Sequence, residues 1–281
     1  MTRIDFAKLR GDMVNRQIAG RGVQSQLVLE AMRAVPREAF LPLTQGEFAY
    51  EDVPLPIAQG QTISQPYIVA LMTEALVLRG GEKVLEIGTG SGYAAAVLSR
   101  IAGTVYTVER IDQLATTAAA TLAGLGYHNV HVLRADGTLG WPDHAPYDAI
   151  VVAAGGPTVP ESLKAQLKIG GRLVIPVGPD RRLQELVRVI RVSEHEYKTE
   201  DIADVRFVPL MGAQGWGPER GAAPTVKTTD GALATAIAAA CEKFDTIDSA
   251  NLEPLLQRIG NARVVLLGES SHGTSEFYRM R

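Results

Sequence analysis

The stretch Lys83–Tyr93, KVLEIGTGSGY, decides the fold of this 281-residue chain. Its short apolar run predicts a buried strand, and the glycines that follow predict a tight turn that opens a helix. Such a turn lets the backbone approach a small ligand, and Glu86 brings a carboxylate to the same place. The stretch therefore predicts the first strand of an α/β sheet, with a ligand bound beyond its carboxyl end.

Strands and helices alternate on both sides of this stretch. Helices are predicted at 5–20 and 24–34, and a third from Pro66 to Gly80-Gly81. The segments that follow are strands 83–87, 104–108, 129–133, 148–152 and 172–177, and helices 92–101, 111–123 and 160–167. This order predicts a doubly wound, mostly parallel, Rossmann-like sheet with helices on both faces. Leu186–Val192 and Val205–Pro209 are predicted to form an antiparallel hairpin at one edge.

Composition excludes several functional classes. The net charge of −3 gives no general basic field for nucleic acid. The single cysteine, Cys241, excludes an intrachain disulfide and favours a reducing compartment. The N-terminus has no apolar signal region, and Ala232–Cys241 is too short to cross a bilayer. We therefore expect a cytoplasmic protein that has neither a nucleic-acid partner nor a membrane partner.

The chain divides at a segment rich in glycine and proline. Residues 1–211 contain the alternating pattern, and 212–230 have the composition of a linker. Residues 231–281 predict two helices and one strand, too little to bury a core. We expect one complete domain, a linker and an incomplete α/β extension.

The glycine turn allows two kinds of cofactor. Dinucleotide-binding folds use G-x-G-x-x-G, with a pyrophosphate at the helix N-terminus. Here the spacing is Glu86-x-Gly88-x-Gly90-x-Gly92. A carboxylate at position 86 would repel a pyrophosphate, whereas it would suit an amine-bearing ligand such as S-adenosylmethionine.

Two more acidic residues follow successive predicted strands. Glu109 ends the second strand, where a carboxylate can accept hydrogen bonds from both hydroxyls of a ribose. Asp136 and Gly137 follow the third strand, where an adenine edge would lie. Any one of these features could be a solvated acid or a turn glycine, but three in order favour an S-adenosylmethionine-dependent methyltransferase. The predicted cofactor set also includes Thr89, Ser91 and Arg110.

Residues 8–211 resemble the protein-L-isoaspartate O-methyltransferase family. The most specific stretch is Gln59–Tyr67, QGQTISQPY, because the Thr-Ile-Ser-x-Pro run is rare outside this family. Supporting stretches are Val84–Tyr93, Pro146–Ile150, Gly170–Gly178 and Arg206–Leu210. Other methyltransferases share the glycine turn but lack the first stretch.

The resemblance implies a reaction. The family transfers a methyl group from S-adenosylmethionine to the carboxylate of L-isoaspartyl residues in damaged proteins, leaving S-adenosylhomocysteine. The ester then closes to a succinimide. The acceptor is already ionised at neutral pH and needs no general base. A methyltransferase with a different acceptor and a non-enzymatic cofactor-binding module are the alternatives. We expect a monomer whose partners are damaged proteins and peptides.

Ser64 matches the family's active-site serine, and Thr62 and Ile63 match its cofactor-binding residues. The resemblance implies that the Ser64 hydroxyl orients the acceptor carboxylate. It does not imply a covalent nucleophile, since no G-x-S-x-G elbow occurs. The alternative role of Ser64 is to cap the helix that begins at Pro66.

Two loops are implied to contact the substrate. One contains Ala153 and Ala154, and the other contains Val208, Pro209 and Leu210. Spacing alone favours ordinary loops at both places. The Gly155-Gly156 pair departs mildly from the family pattern and would loosen the first loop.

Other candidate sites are weak. His128 and His131 would point to opposite faces of a strand, so we expect no metal site. Trp141 and Trp216 are expected to be packing or linker residues, and Arg181-Arg182 a solvated turn.

Residues 250–281 resemble the beginning of the erythromycin esterase family. Its Gly-Glu-x-x-His-Gly motif is matched at Gly268–Gly273, so that Glu269 and His272 correspond to residues of a hydrolytic site. Only about forty residues of a much larger domain are covered, and we expect no esterase activity from them.

Overall fold

The computed structural model describes residues 4–180 and 183–217, and all of them belong to one compact unit. The predicted turn at Arg181-Arg182 and the predicted elements after residue 217 lie outside the described residues. These include Cys241 and the esterase-like pair Glu269 and His272.

A seven-stranded sheet forms the centre of the unit, in the order β5-β4-β3-β6-β7-β8-β9. Its strands are β3 (Lys83–Ile87), β4 (Thr104–Glu109), β5 (Val130–Arg134), β6 (Tyr147–Val152), β7 (Leu167–Val177), β8 (Gln184–Arg191) and β9 (Tyr197–Val205). The five strands from β5 to β7 in this order run parallel to one another. Strand β8 pairs antiparallel with β7, and β9 pairs antiparallel with β8. The strand order reverses between β3 and β6, which is where open α/β sheets bind ligands. The predicted Rossmann-like fold is confirmed.

Helices cover both faces of the sheet. They are α1 (Phe6–Asp12), α2 (Gln26–Ala34), α3 (Pro66–Ala75), α4 (Tyr93–Ser99), α5 (Asp112–Gly124) and α6 (Glu161–Ala165). The α1 helix continues as a π-helical segment, Met13–Ile18. A separate two-stranded hairpin consists of β1 (Leu55–Pro56) and β2 (Thr62–Ile63). No helix within 4–180 and 183–217 combines the length and the apolarity needed to cross a membrane.

Consecutive residues of β3 enter different cores. Val84 packs with the N-terminal helices, α3 and α4, whereas Leu85 and Ile87 pack with Leu163 of α6. All three side chains are buried, because β3 lies in the middle of the sheet with helices on each side. This burial fixes the position of the glycine turn that follows β3.

Several predicted boundaries were wrong, among them the start of β7, which lies at Leu167 and not at 172. The last strand is Tyr197–Val205, whereas 205–209 was predicted. This edge strand pairs on one side only and carries polar residues, so its sequence lacks an apolar run. The α3 helix ends at Ala75, before Gly80-Gly81, because the chain turns at Val77, which has a φ of 53°.

Candidate functional site

The glycine turn after β3 has a backbone conformation that side chains rarely adopt. Gly88, Gly90 and Gly92 have φ values of 93°, 55° and 90°. Residues with a Cβ are disfavoured in this region, which explains the alternating glycines. Gly92 is the N-cap of α4, and the Gly88 N–H donates to the Val108 carbonyl of β4 at 2.8 Å. The turn is therefore held by the sheet on one side and by α4 on the other.

Glu109, at the end of β4, stabilises this turn through hydrogen bonds to the backbone. Its carboxylate accepts hydrogen bonds from the Gly90 N–H at 3.0 Å and from the Ile111 N–H at 2.9 Å. The residue is 6% exposed, and it lines the cavity above the turn. Each carboxylate oxygen can accept further bonds. Glu109 is thus placed to take hydroxyl groups of a ligand while it holds the turn.

Glu86 lies below the turn and does not line the cavity, which differs from its predicted position. The Thr107 hydroxyl donates to its Oε2 at 2.6 Å and is itself 2.6 Å from the Thr89 hydroxyl. Its Oε1 is buried and has no hydrogen-bond partner in the described part of the chain. Burial raises the pKa of Glu86 to about 8, and the nearby Glu109 carboxylate adds to the rise. Glu86 therefore supports the ligand-binding surface through Thr107 and Thr89.

One cavity at the carboxyl ends of β3, β4 and β6 brings most of the predicted residues together. Its empty volume is about 800 Å³ when the open mouth is included. Its walls contain fifteen predicted residues: Thr62, Ile63, Ser64, Gly88, Thr89, Gly90, Ser91, Glu109, Arg110, Gly137, Ala153, Ala154, Val208, Pro209 and Leu210. Glu86, Gly92 and Asp136 are the predicted residues that do not line it.

Ser64 does not cap α3, so that alternative was wrong. The N-cap is Gln65, and its side chain makes no capping hydrogen bond. Within 4–180 and 183–217, the Ser64 hydroxyl has no protein hydrogen-bond partner. The half-buried hydroxyl faces the cavity and can donate to a ligand there.

The β1–β2 hairpin forms the wall that precedes Ser64. Leu55 pairs with Ile63 across the hairpin, and the Ile57 N–H donates to the Gln61 carbonyl at 2.8 Å. The side chain of Ile57 lies against Gly90. The hairpin loop that leads into the family-specific stretch therefore packs on the glycine turn through Ile57.

The two loops implied to contact substrate are joined to each other. The Gly155 N–H donates to the Val208 carbonyl and the Leu210 N–H to the Gly155 carbonyl, each at 2.8 Å. A Cβ at position 155 would clash with the amide of Gln184. The loosening expected from the glycine pair is not present, because both glycines take part in backbone hydrogen bonds.

Asp136 faces the segment after residue 211 and not the cavity. Its carboxylate accepts from the Thr138 N–H at 2.9 Å and from the Ala213 N–H at 2.7 Å. These bonds lower the pKa of Asp136, although burial opposes them. The Trp216 indole donates to the Gly155 carbonyl at 2.8 Å. Packing thus extends past the predicted domain boundary at 211 to Gly217.

Sequence reasoning missed several cavity residues. These are Gln61, Val69, Ile87, Tyr93, Ala94, Val108, Ile111 and Met211. Tyr93, Ile87 and Gln61 lie within the stretches already quoted, so their position beside the turn was the available signal. Val69 comes from α3 and has the spacing of an ordinary core residue, which gave no signal.

The site fits S-adenosylmethionine in its chemistry. Gly88 and Gly90 leave the turn without side chains, so a ligand can lie against the backbone. Glu109 offers a carboxylate at the cavity wall for ribose hydroxyls. Apolar side chains such as Ile111 and Val108 supply the flat contacts that an adenine ring needs. No group of three or more metal-ligating side chains occurs in the described ranges, and His131 stacks on Tyr106.

Comparison with known proteins identifies the family. The sequence model of the protein-L-isoaspartate(D-aspartate) O-methyltransferases matches residues 8–215. The chain belongs to this family. Among isoaspartate O-methyltransferase relatives, one from Rhodopseudomonas palustris strain CGA009 is 69% identical over 73% of this chain and 94% of its own length. Another, from Pelobacter propionicus, is 63% identical over 73% of this chain and 91% of its own.

Solved structures agree with this membership. A protein-L-isoaspartate O-methyltransferase structure is 32% identical, with a TM-score of 0.66, over 73% of this chain and 67% of its own. A Plasmodium falciparum protein in complex with S-adenosyl-L-homocysteine is 24% identical, with a TM-score of 0.63, over 74% of this chain and 99% of its own. The second likeness shows the fold alone.

Proposed function

We propose that this protein transfers a methyl group from S-adenosylmethionine to the α-carboxylate of L-isoaspartyl residues in damaged proteins. The observation that carries the proposal is the position of Ser64, which lines the same cavity as the glycine turn and Glu109 and whose hydroxyl has no hydrogen-bond partner among the described residues. The relatives named above carry this activity in their names, and the chain covers nearly their whole length.

The cofactor supplies an electrophilic methyl group bound to a positively charged sulfur. An oxygen of the acceptor carboxylate bonds to the methyl carbon while the carbon–sulfur bond breaks, and the electron pair of that bond passes to sulfur. No proton moves, because the acceptor is already a carboxylate, so the reaction needs no general base.

The protein's own residues contribute position and shielding. Glu109 and the glycine turn hold the donor, whereas Ser64 orients the acceptor oxygen. The joined loops at Ala153 and Pro209 close the opposite wall with small and apolar side chains, against which a peptide backbone can lie. Orientation of this kind can contribute several kcal/mol, about 7–11 in well-aligned systems.

A pair of matched peptides tests the proposal. The purified protein is incubated with methyl-labelled S-adenosylmethionine and with two peptides that differ only in an isoaspartyl or an aspartyl residue. We expect label in the isoaspartyl peptide alone, with one S-adenosylhomocysteine released per methyl group. Equal labelling of both peptides, or labelling of a different acceptor only, would favour the alternative methyltransferase.

Three further proposals accompany this function. We infer that the protein acts as a monomer in the cytoplasm, in keeping with its composition and single cysteine. The resemblance of residues 250–281 to an esterase supports assigning Glu269 and His272 to a former hydrolytic site without activity. Light scattering tests the oligomeric state, cell fractionation tests the location, and an ester hydrolysis assay tests the inactivity of Glu269 and His272.

A further inference from the structure

Asp52 makes three contacts around the residues that follow Ser64. Its Oδ1 accepts a hydrogen bond from the Tyr67 N–H at 2.9 Å. Its Oδ2 accepts from the Gln65 side-chain amide at 2.8 Å and from the Arg21 guanidinium at 2.5 Å. The Asp52 side chain is 17% exposed, and its bonds to Gln65 and Tyr67 are partly buried, whereas the Arg21 side chain is 46% exposed. One carboxylate therefore joins the segment before the β1–β2 hairpin to the segment after it.

This arrangement caps α3 from a distance. Pro66 has no N–H, so the Tyr67 N–H is the first donor of the helix that needs a partner. A serine at position 64 or 65 would ordinarily supply that acceptor. Here Asp52 supplies it, and the Ser64 hydroxyl stays available to the cavity.

Arg21 completes the clamp. Its guanidinium lies 3.6 Å from the centre of the Tyr67 ring while it pairs with Asp52. An arginine that stacks on a ring and pairs with a carboxylate restricts both groups. The first turn of α3 is thus fixed by its backbone and by its Tyr67 side chain.

We propose that Asp52 is a positioning residue for methyl transfer, which holds Ser64 in the geometry that orients the acceptor carboxylate. The inference rests on the proposed function, because Ser64 is the group through which Asp52 acts. Asp52 does not line the cavity, and the glycine turn and Glu109 are held by other bonds. The clamp should therefore affect the acceptor half of the site more than cofactor binding, because of the predicted cofactor residues its segment contains only Thr62 and Ile63.

A double-mutant cycle tests this inference. Asp52→Asn keeps the size of the side chain but removes its charge, and Gln65→Met removes only one of the three contacts. With wild-type Ser64, we expect Asp52→Asn to lower kcat/KM for the isoaspartyl peptide about tenfold or more, and Gln65→Met to lower it less. In the Ser64→Ala background, the same substitutions should change kcat/KM less than about twofold. Equal losses in both backgrounds would overturn the inference.

Two other measurements separate this inference from the proposed function. Calorimetric affinity for S-adenosylhomocysteine should fall by a smaller factor than kcat/KM in Asp52→Asn, and an equal loss would mean a general structural role. Amide hydrogen exchange in residues 61–67 should accelerate in Asp52→Asn while β4 is unaffected, whether or not the peptide is methylated. Unchanged exchange in 61–67 would refute the clamp. Asp12→Asn, which alters an exposed ion pair with Arg16, is the matched control.

Discussion

Replacement of Ser64 by alanine separates a catalytic role from a structural one. The change removes one hydroxyl from the cavity wall and breaks no hydrogen bond with the described part of the protein. A hydrogen bond to a charged acceptor contributes about 1.5–3 kcal/mol. We therefore expect kcat/KM for an isoaspartyl peptide to fall about 10- to 150-fold, since 1.4 kcal/mol corresponds to about tenfold.

Stability and cofactor affinity should respond differently from the rate. Loss of a helix cap costs about 0.5–2 kcal/mol of unfolding free energy. Because Asp52 and not Ser64 accepts from the first free N–H of α3, we expect Ser64→Ala to change this free energy by less than about 0.5 kcal/mol. Affinity for S-adenosylhomocysteine should be retained, because Glu109 and the glycine turn are untouched.

The assay combines steady-state kinetics with urea unfolding and calorimetry. Ser99→Ala is a suitable control because Ser99 bonds to a helical carbonyl, Ala96 O, and lies outside the cavity. The reasoning fails if Ser64→Ala leaves kcat/KM unchanged, or if it destabilises the fold as much as it slows the reaction.

Two other substitutions test the donor half of the site. Glu109→Gln should weaken S-adenosylhomocysteine binding about 30- to 1,000-fold in calorimetry. The charged acceptor offered to the ribose hydroxyls is lost, and the bonds from the Gly90 and Ile111 N–H groups that hold the turn are weakened. The exposed Glu161→Gln is the control, and a loss below about threefold would contradict the assigned role. Glu86→Gln should flatten the pH dependence of stability. With the pKa of Glu86 raised to about 8, the folded state keeps a proton that the unfolded state releases, so wild-type unfolding free energy should fall as pH rises from about 5 to 8. Urea titrations at several pH values measure the unfolding free energy of both proteins. If that free energy depends on pH equally in the wild type and in Glu86→Gln, the contribution of Glu86 is excluded.

The parallel core of the fold could be predicted from sequence because burial leaves a local signal. Strands β3 and β6 are covered on both faces, so each is mostly apolar in sequence, with Glu86 as the one acidic residue of β3 and Asp148 as that of β6. The edge strand β9 is paired on one side, and its Lys198, Glu200 and Asp201 resemble a loop. The α3 helix ends before Val77, whose positive φ is rare for a β-branched residue and therefore left no signal in the sequence.

Site residues could be predicted where acidic residues and glycines recur at the ends of successive strands. Glu109 and the glycine turn were found in this way, and both line the cavity. Glu86 was predicted to face the ligand, but it lies beneath the turn. There the Thr107 hydroxyl of β4 donates a hydrogen bond to its carboxylate. Asp52 carried no signal, since its partners Arg21 and Tyr67 lie 31 and 15 residues away in sequence.

The contact of Trp216 with Gly155 has a practical meaning for anyone who shortens this protein. The family match ends at residue 215, and the composition change places a boundary at 211. A fragment cut at either point would leave the Gly155 carbonyl without its indole donor, and a cut at 211 would also deprive Asp136 of Ala213. An expression fragment meant to keep the cavity wall should therefore run through Gly217.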